Sequence, residues 1–238
     1  MGETAGTRSS VSAVVRPRRL LLGMAMVAVL ALALGACQPE RPSAGRGTPV
    51  RKVLIVGDSI TWGLFGTTPR LHERLGPMMA ARGLSTRIIG FAGGNIIDPW
   101  GNQPRWVDAT LNQVRTWDPD VIIVQSTLFP GGQDPARQRV YERSVRDLMN
   151  VARSRGAHTY IVAHPEPNNA AQRAEKNIAQ YLQAFVAGPG VSRIPLDWWM
   201  DRCQGWASYD GWHLSGKGQD CHALAIVAAV DQLRARTG

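Results

Sequence analysis

The sequence predicts one α/β domain of three layers, in which helices cover both faces of a central parallel sheet of about five strands. Three observations predict it. Unbroken apolar runs such as Val53-Leu54-Ile55-Val56 and Val121-Ile122-Ile123-Val124 suit strands buried on both faces. Those runs alternate with stretches of helical periodicity along the chain, the pattern of strand, crossover helix and parallel strand. The chain has 238 residues, 44% hydrophobic and 19% charged, which is room for one such core and little more.

The elements follow in order. The first strand, Val53 to Val56, ends at Gly57. A helix over about 68–81 carries Leu71, Leu75, Met78 and Met79 at helical spacing. Residues 86–91 read as the second strand. Val107, Leu111 and Val114 repeat at i, i+4 and i+7, a helix that ends before Asp118-Pro119. Val121 to Val124 is the third strand. Pro135 opens a helix bearing Val140, Val145, Leu148 and Val151. Residues 159–163 form the fourth strand, stopped by Pro165 and Pro167. Residues 169–186 are expected to be helical, 192–196 to be a short fifth strand, and 216–236 a last helix. Sheets of this kind hold ligands beyond the carboxyl ends of their strands, so that edge is where chemistry is sought.

Composition excludes several classes. The chain has no repeat at 20–50-residue spacing, no collagen period and no low-complexity tract. Three cysteines without a C-x-x-C pair argue against a zinc ribbon and against a disulfide-dense scaffold. The formal charge is +9, but residues 1–36 hold four arginines and one glutamate, so the remainder carries +6. No basic helix or arginine-aromatic repeat is present, and no nucleic-acid partner is expected.

Residues 1–36 read as an export leader. Arg16, Arg18 and Arg19 precede seventeen uncharged residues, Leu20 to Ala36. That run falls short of the ~20 apolar residues of a spanning helix and fits a secretory signal. It ends in Leu34-Gly35-Ala36-Cys37, small residues before a cysteine, which resembles the bacterial lipoprotein signal. Cys37 is then the lipidation site and the membrane anchor; an uncleaved anchor and an ordinary signal peptide are the alternatives. Residues 37–48, rich in proline, glycine and serine, read as a flexible tether, and 49–238 as the folded domain. A chain so addressed faces an oxidising compartment on the outer side of the membrane. There Cys203 and Cys221, eighteen positions apart, make an obvious disulfide, against the alternative of two buried thiols.

Two short motifs carry candidate chemistry. The first strand runs into Gly57-Asp58-Ser59, and a serine at a strand-to-helix turn suits a nucleophile in acyl transfer. It also suits a phosphate loop or a helix cap. Near the other end stands Asp210-Gly211-Trp212-His213. A carboxylate three residues before a histidine can bond the far ring nitrogen, fix its tautomer and stabilise the imidazolium. Taken singly, each motif is common.

Together, and with Ile60-Thr61-Trp62-Gly63 after the first and His213-Leu214-Ser215 in the second, they resemble the SGNH or GDSL hydrolases. The motifs bracket the whole domain. The resemblance implies a flavodoxin-like three-layer fold and a catalytic triad of Ser59 as nucleophile, His213 as general base and Asp210 as its orienting partner. It gives Asp58 a structural role at the turn. It also implies an oxyanion hole built from the N–H groups of Ser59 and Gly93, within Gly90-Phe91-Ala92-Gly93-Gly94-Asn95. The family's third block, Gly-x-Asn-Asp, is absent. Val124-Gln125-Ser126-Thr127-Leu128 stands there instead, and loss of one oxyanion donor typically costs about 2.7–4 kcal/mol. Gln125, Ser126, Thr127 and Asn95 are the candidate replacements.

The expected activity is hydrolysis of acyl esters of carbohydrates, cell-envelope components or lipids, with no metal and no organic cofactor. An O-acyltransferase of the same fold and a non-catalytic ligand-binding lipoprotein are the alternatives. His164 ends the fourth strand and is a minor candidate for substrate contact. Trp62 and Trp212 flank the proposed triad as a possible binding wall, whereas Trp100, Trp106, Trp198, Trp199 and Trp206 are expected to pack in the core.

Overall fold

The computed structural model describes residues 49–62, 70–91, 96–97, 105–125, 134–164, 191–207 and 213–237. The strands β1 (Lys52–Gly57), β2 (Ser85–Gly90), β3 (Val121–Gln125), β4 (His158–Ala163) and β5 (Val191–Pro195) form one sheet. Their order is β2-β1-β3-β4-β5, and every neighbouring pair is parallel. The described helices are α1 (Ser59–Trp62), α2 (Leu71–Ala80), α3 (Trp106–Trp117), α4 (Pro135–Ser154), α5 (Leu196–Asp201) and α6 (Gly216–Thr237). The expected α/β fold with a five-stranded parallel sheet is therefore the fold of the chain.

Alternation along the strands splits the core in two. Val53 and Ile55 of β1 and Val121 and Ile123 of β3 pack with Leu71, Leu75 and Met79 of α2 and with Ile226 and Val230 of α6. Leu54 and Val56, with Ile122 and Val124, face Trp106, Val107 and Val114 of α3 and Tyr141, Val145 and Leu148 of α4. Successive side chains of a strand point to opposite faces, so both faces must be apolar, and that is why these runs have no polar interruption. Each such side chain contributes roughly 1.5–3 kcal/mol on burial.

Polar side chains fix the element ends. Asp120 accepts the backbone N–H groups of Arg51 and Lys52 at 2.7 and 2.8 Å, which pins the start of β1 beside the start of β3. Asp134 caps α4 by accepting the Ala136 N–H at 2.8 Å. Asp118 closes α3 in the left-handed region, φ 53°, and receives the Arg155 guanidinium at 3.0 Å.

Strand boundaries shift by one residue from expectation: β1 spans Lys52–Gly57, β2 spans Ser85–Gly90, β3 runs on to Gln125, β4 starts at His158 and β5 at Val191. Leu196, expected in the last strand, instead opens α5, a helix the apolar pattern did not announce. Trp198, expected in the core, is 48% exposed, with the Arg202 guanidinium 3.7 Å from its ring centre. Trp106 is fully buried as expected. The expected leader, the tether and the helix over 169–186 lie outside the described residues.

The topology sets the place of the site. From β1 the chain goes to β2 on one side, and then crosses to β3 on the other. Such a reversal opens a crevice at the carboxyl ends of the two diverging strands. Gly57 and Gln125, the last residues of β1 and β3, are register partners there.

Candidate active site

Ser59 is the first residue of α1, two positions beyond Gly57 and half-buried. The turn beneath it is held by Asp58, which is buried. The Asp58 carboxylate accepts the Ile60 N–H at 3.0 Å, and its carbonyl accepts the Thr61 and Trp62 N–H groups at 3.1 and 3.0 Å. Asp58 thus plays the structural part expected of it. The Ser59 N–H stands outside this internal set.

Two glycines let α1 sit this close to the strands. A methyl group on Gly57 would lie 2.1 Å from Thr61 Oγ1, and one on Gly90 2.7 Å from Trp62 Cα. Trp62 therefore packs down on the end of β2, with Arg70 over its ring at 5.0 Å. Trp212 and Trp100 lie outside the described residues.

The second motif meets the first. His213 Nε2 is 3.0 Å from Ser59 Oγ, although the two residues are 154 positions apart. With the imidazole proton on Nδ1, the Ser59 hydroxyl donates to Nε2, the arrangement that a nucleophile and its base require. Asp210 and Gly93, and with them Ser126, Thr127 and Asn95, lie outside the described residues.

The segment around His213 is braced on several sides. Leu214 bridges to Ala207 in antiparallel fashion. The Ser215 N–H bonds the Trp206 carbonyl at 2.6 Å, and the Ser215 hydroxyl bonds the Gly205 carbonyl at 2.5 Å. The same hydroxyl accepts the Gly218 N–H at 3.2 Å, in the first turn of α6. Cys203 and Cys221 form a disulfide around this segment, the pairing expected from the sequence. Gln219 of α6 donates to the Ile60 carbonyl of α1 at 3.4 Å, so the elements that follow His213 and Ser59 are joined directly.

The other histidines take no part in this pairing. His164 is buried at the end of β4 with its ring edge-on to Trp206, where it supports the braced segment. His158 bonds Ser192 at 3.0 Å, and burial together with the Arg236 charge lowers its pKa. His222 is fully buried in α6, and burial pushes its pKa down to about 3. Among the described residues no three His, Cys, Asp or Glu side chains form a group able to hold a metal ion. A groove of about 610 Å³ lies elsewhere, between β4, β5, α5 and α6, and Tyr160, Trp198, Trp199 and Arg236 help line it.

Sequence comparison is silent: no family model and no curated protein matches the chain. Structural comparison is not. The chain is similar to a family 3 carbohydrate esterase of Clostridium thermocellum, at TM-score 0.56 and 20% identity, over 79% of this chain and 99% of that one. It is also similar to a catalytic mutant of an acetylxylan esterase from Geobacillus stearothermophilus, at TM-score 0.55 and 14% identity, over 76% and 94%. A GDSL-like lipase from Bacteroides thetaiotaomicron superimposes at TM-score 0.52 and 12% identity, over 77% and 89%. The fold is that of the SGNH and GDSL hydrolases.

Proposed function

We propose that the chain is an extracytoplasmic, lipid-anchored serine esterase that hydrolyses acyl esters by a Ser-His-Asp mechanism. The observation that carries this reading is the 3.0 Å contact between His213 Nε2 and Ser59 Oγ, at the carboxyl edge of the sheet beside the strand-order reversal. Carbohydrate esters are the preferred substrate class, because two of the structural neighbours are named as a carbohydrate esterase and an acetylxylan esterase. Cell-envelope and lipid esters are the other members of the class.

Ser59 Oγ attacks the ester carbonyl carbon while its proton passes to His213 Nε2. The oxyanion of the tetrahedral intermediate receives hydrogen bonds from the N–H groups of Ser59 and Gly93. Collapse expels the alcohol, which takes the proton from His213. A water molecule then gives a proton to His213 and attacks the acyl-serine. The acid leaves as Ser59 recovers its hydrogen. Asp210 holds the His213 tautomer and stabilises its charged form. Every proton in this cycle moves between Ser59, His213, substrate and water, and no step calls for a metal or an organic cofactor.

The location rests on Cys37 as the acylated residue, with residues 38–48 as the tether. The Cys203–Cys221 disulfide supports it, since such bonds persist in oxidising compartments.

The test uses p-nitrophenyl acetate, acetylated xylan and a fluorophosphonate probe. Hydrolysis and labelling are expected in the wild type, with kcat reduced at least a thousandfold in Ser59→Ala and His213→Ala. Turnover that survives Ser59→Ala overturns the assignment. Metabolic labelling with a fatty acid is expected to mark the wild type and to be lost in Cys37→Ser.

A further inference from the structure

We infer that Gln125 is a positioning residue for Ser59, retained at the end of β3 at the expense of stability. The inference rests on the reading of Ser59 as a nucleophile. Gln125 is 0% exposed and is the register partner of Gly57. It grips the nucleophile turn at two points. Its carbonyl oxygen accepts the Asp58 N–H at 3.2 Å. Its side-chain Oε1 accepts the Thr61 hydroxyl at 2.9 Å. These points lie one residue before Ser59 and two after it. Thr61 N–H in turn bonds Asp58 O, so Ser59 sits on a closed ring of hydrogen bonds that is anchored to the central sheet.

Gly57 makes the meeting possible. A Cβ there would stand 2.1 Å from Thr61 Oγ1 and 3.0 Å from Gln125 Cβ, the place where amide and hydroxyl meet. Nothing larger than a hydrogen at that position leaves the tether room.

The rest of the amide argues that stability is not its purpose. Gln125 Nε2 is buried and has no hydrogen-bond partner among the described residues. An unmade hydrogen bond on a buried donor destabilises a fold, and an apolar side chain of similar volume avoids that loss. The four residues before it in β3 are all valine or isoleucine, so an apolar residue suits the strand. Full burial also keeps the amide away from a substrate oxygen. It acts on catalysis through the placing of Ser59 Oγ against His213, where a shift of about 1 Å costs on the order of a hundredfold in rate.

The test compares Gln125→Met, Thr61→Val, the double variant and Thr61→Ser. The readouts are kcat and KM on p-nitrophenyl acetate, the rate of fluorophosphonate labelling, and Tm. Gln125→Met and Thr61→Val are each expected to lower kcat and labelling roughly 10- to 100-fold with KM within about twofold, and to lower Tm somewhat because each orphans the other's buried group, whereas the double variant, which removes both partners, is expected to keep or raise Tm. The double variant is expected to be no worse than either single one, because the two groups act as one unit. Thr61→Ser keeps the hydroxyl and is expected to keep kcat. Unchanged kcat in Gln125→Met overturns the proposal. A kcat that recovers together with Tm in the double variant assigns Gln125 to structure and also overturns it. A wild type without Ser59-dependent turnover or labelling overturns the esterase reading and the tether with it, whereas an active wild type with a fully active Gln125→Met sinks the tether alone.

Discussion

Gln219 reaches from the first turns of α6 to the Ile60 carbonyl of α1, 3.4 Å away, and so joins the helix behind the base to the turn under the nucleophile. The two elements come from opposite ends of the domain, and this bond relates them without passing through the sheet. Replacement by leucine removes the bond and also the buried Oε1, which has no partner among the described residues. Gln219→Leu is therefore expected to change Tm little while kcat drops roughly tenfold through looser alignment of Ser59 and His213. Thermal melts alongside steady-state kinetics check this; an unchanged kcat refutes it.

Gly57→Ala is expected to be much more severe. The new methyl group would press on Thr61 Oγ1 and on the Gln125 carbonyl, at 2.1 and 2.6 Å. Overpacking of this kind costs about 1–3 kcal/mol, and here the forced shift is in the nucleophile turn itself. Urea denaturation should show the loss, and fluorophosphonate labelling should slow by more than the loss of folded protein explains.

The Cys203–Cys221 bond closes a loop of 18 residues around His213. In the chain-entropy model such a loop contributes about 3 kcal/mol, or roughly 6–12 °C in Tm for a domain of this size. The variant with serine at both positions, or the wild type under reductant, is expected to lose that much. Activity should fall at temperatures below the global melt, because the braced segment loosens first. Coincident loss of activity and fold in both proteins would refute the local effect.

Acid should destabilise the protein partly through His222. Its pKa is about 3 when folded, because burial disfavours the charged ring, against about 6.5 in the unfolded chain. The unfolded state thus binds the proton first. Stability is full above about pH 6.5 and declines as the pH falls towards 3, by up to ~1.4 kcal/mol per pH unit. His222→Met is expected to flatten that decline between pH 6.5 and 4.5, a difference of up to roughly 2.7 kcal/mol by urea denaturation at the two pH values. His158, lowered by burial and by Arg236, adds to the same slope in both proteins. Equal acid losses in the wild type and His222→Met would exclude His222 as a source.

The sheet was legible in the sequence because burial on both faces leaves a one-dimensional trace. Val53–Val56 and Val121–Val124 have no other way to be satisfied. Helix α5 left no such trace: it starts at Leu196, directly after the last strand residue Pro195, so the apolar run crosses the boundary between two elements without a break. Trp198 was misplaced for the same reason, since hydrophobicity does not say which side of a six-residue helix faces out. Ser59 and His213 were legible as a pair because a motif names both. Gln125 was only one of four candidates, since its partnership with Thr61 spans 64 residues and needs the pairing of β1 with β3 to exist. Asp210, Gly93 and Cys37 remain readings of the sequence, as they lie outside the described residues.

The strand order has a further consequence, in the timetable of synthesis. All five strands end by Pro195, whereas His213 and α6 follow them. A growing chain therefore holds Ser59 and the sequence of all five strands before His213, and the α6 residues that cover Val53 and Ile55, have been made. The hydroxyl of a serine without a base is a poor nucleophile. On the proposed reading, Ser59 therefore has no base until the last helix has been made and docks.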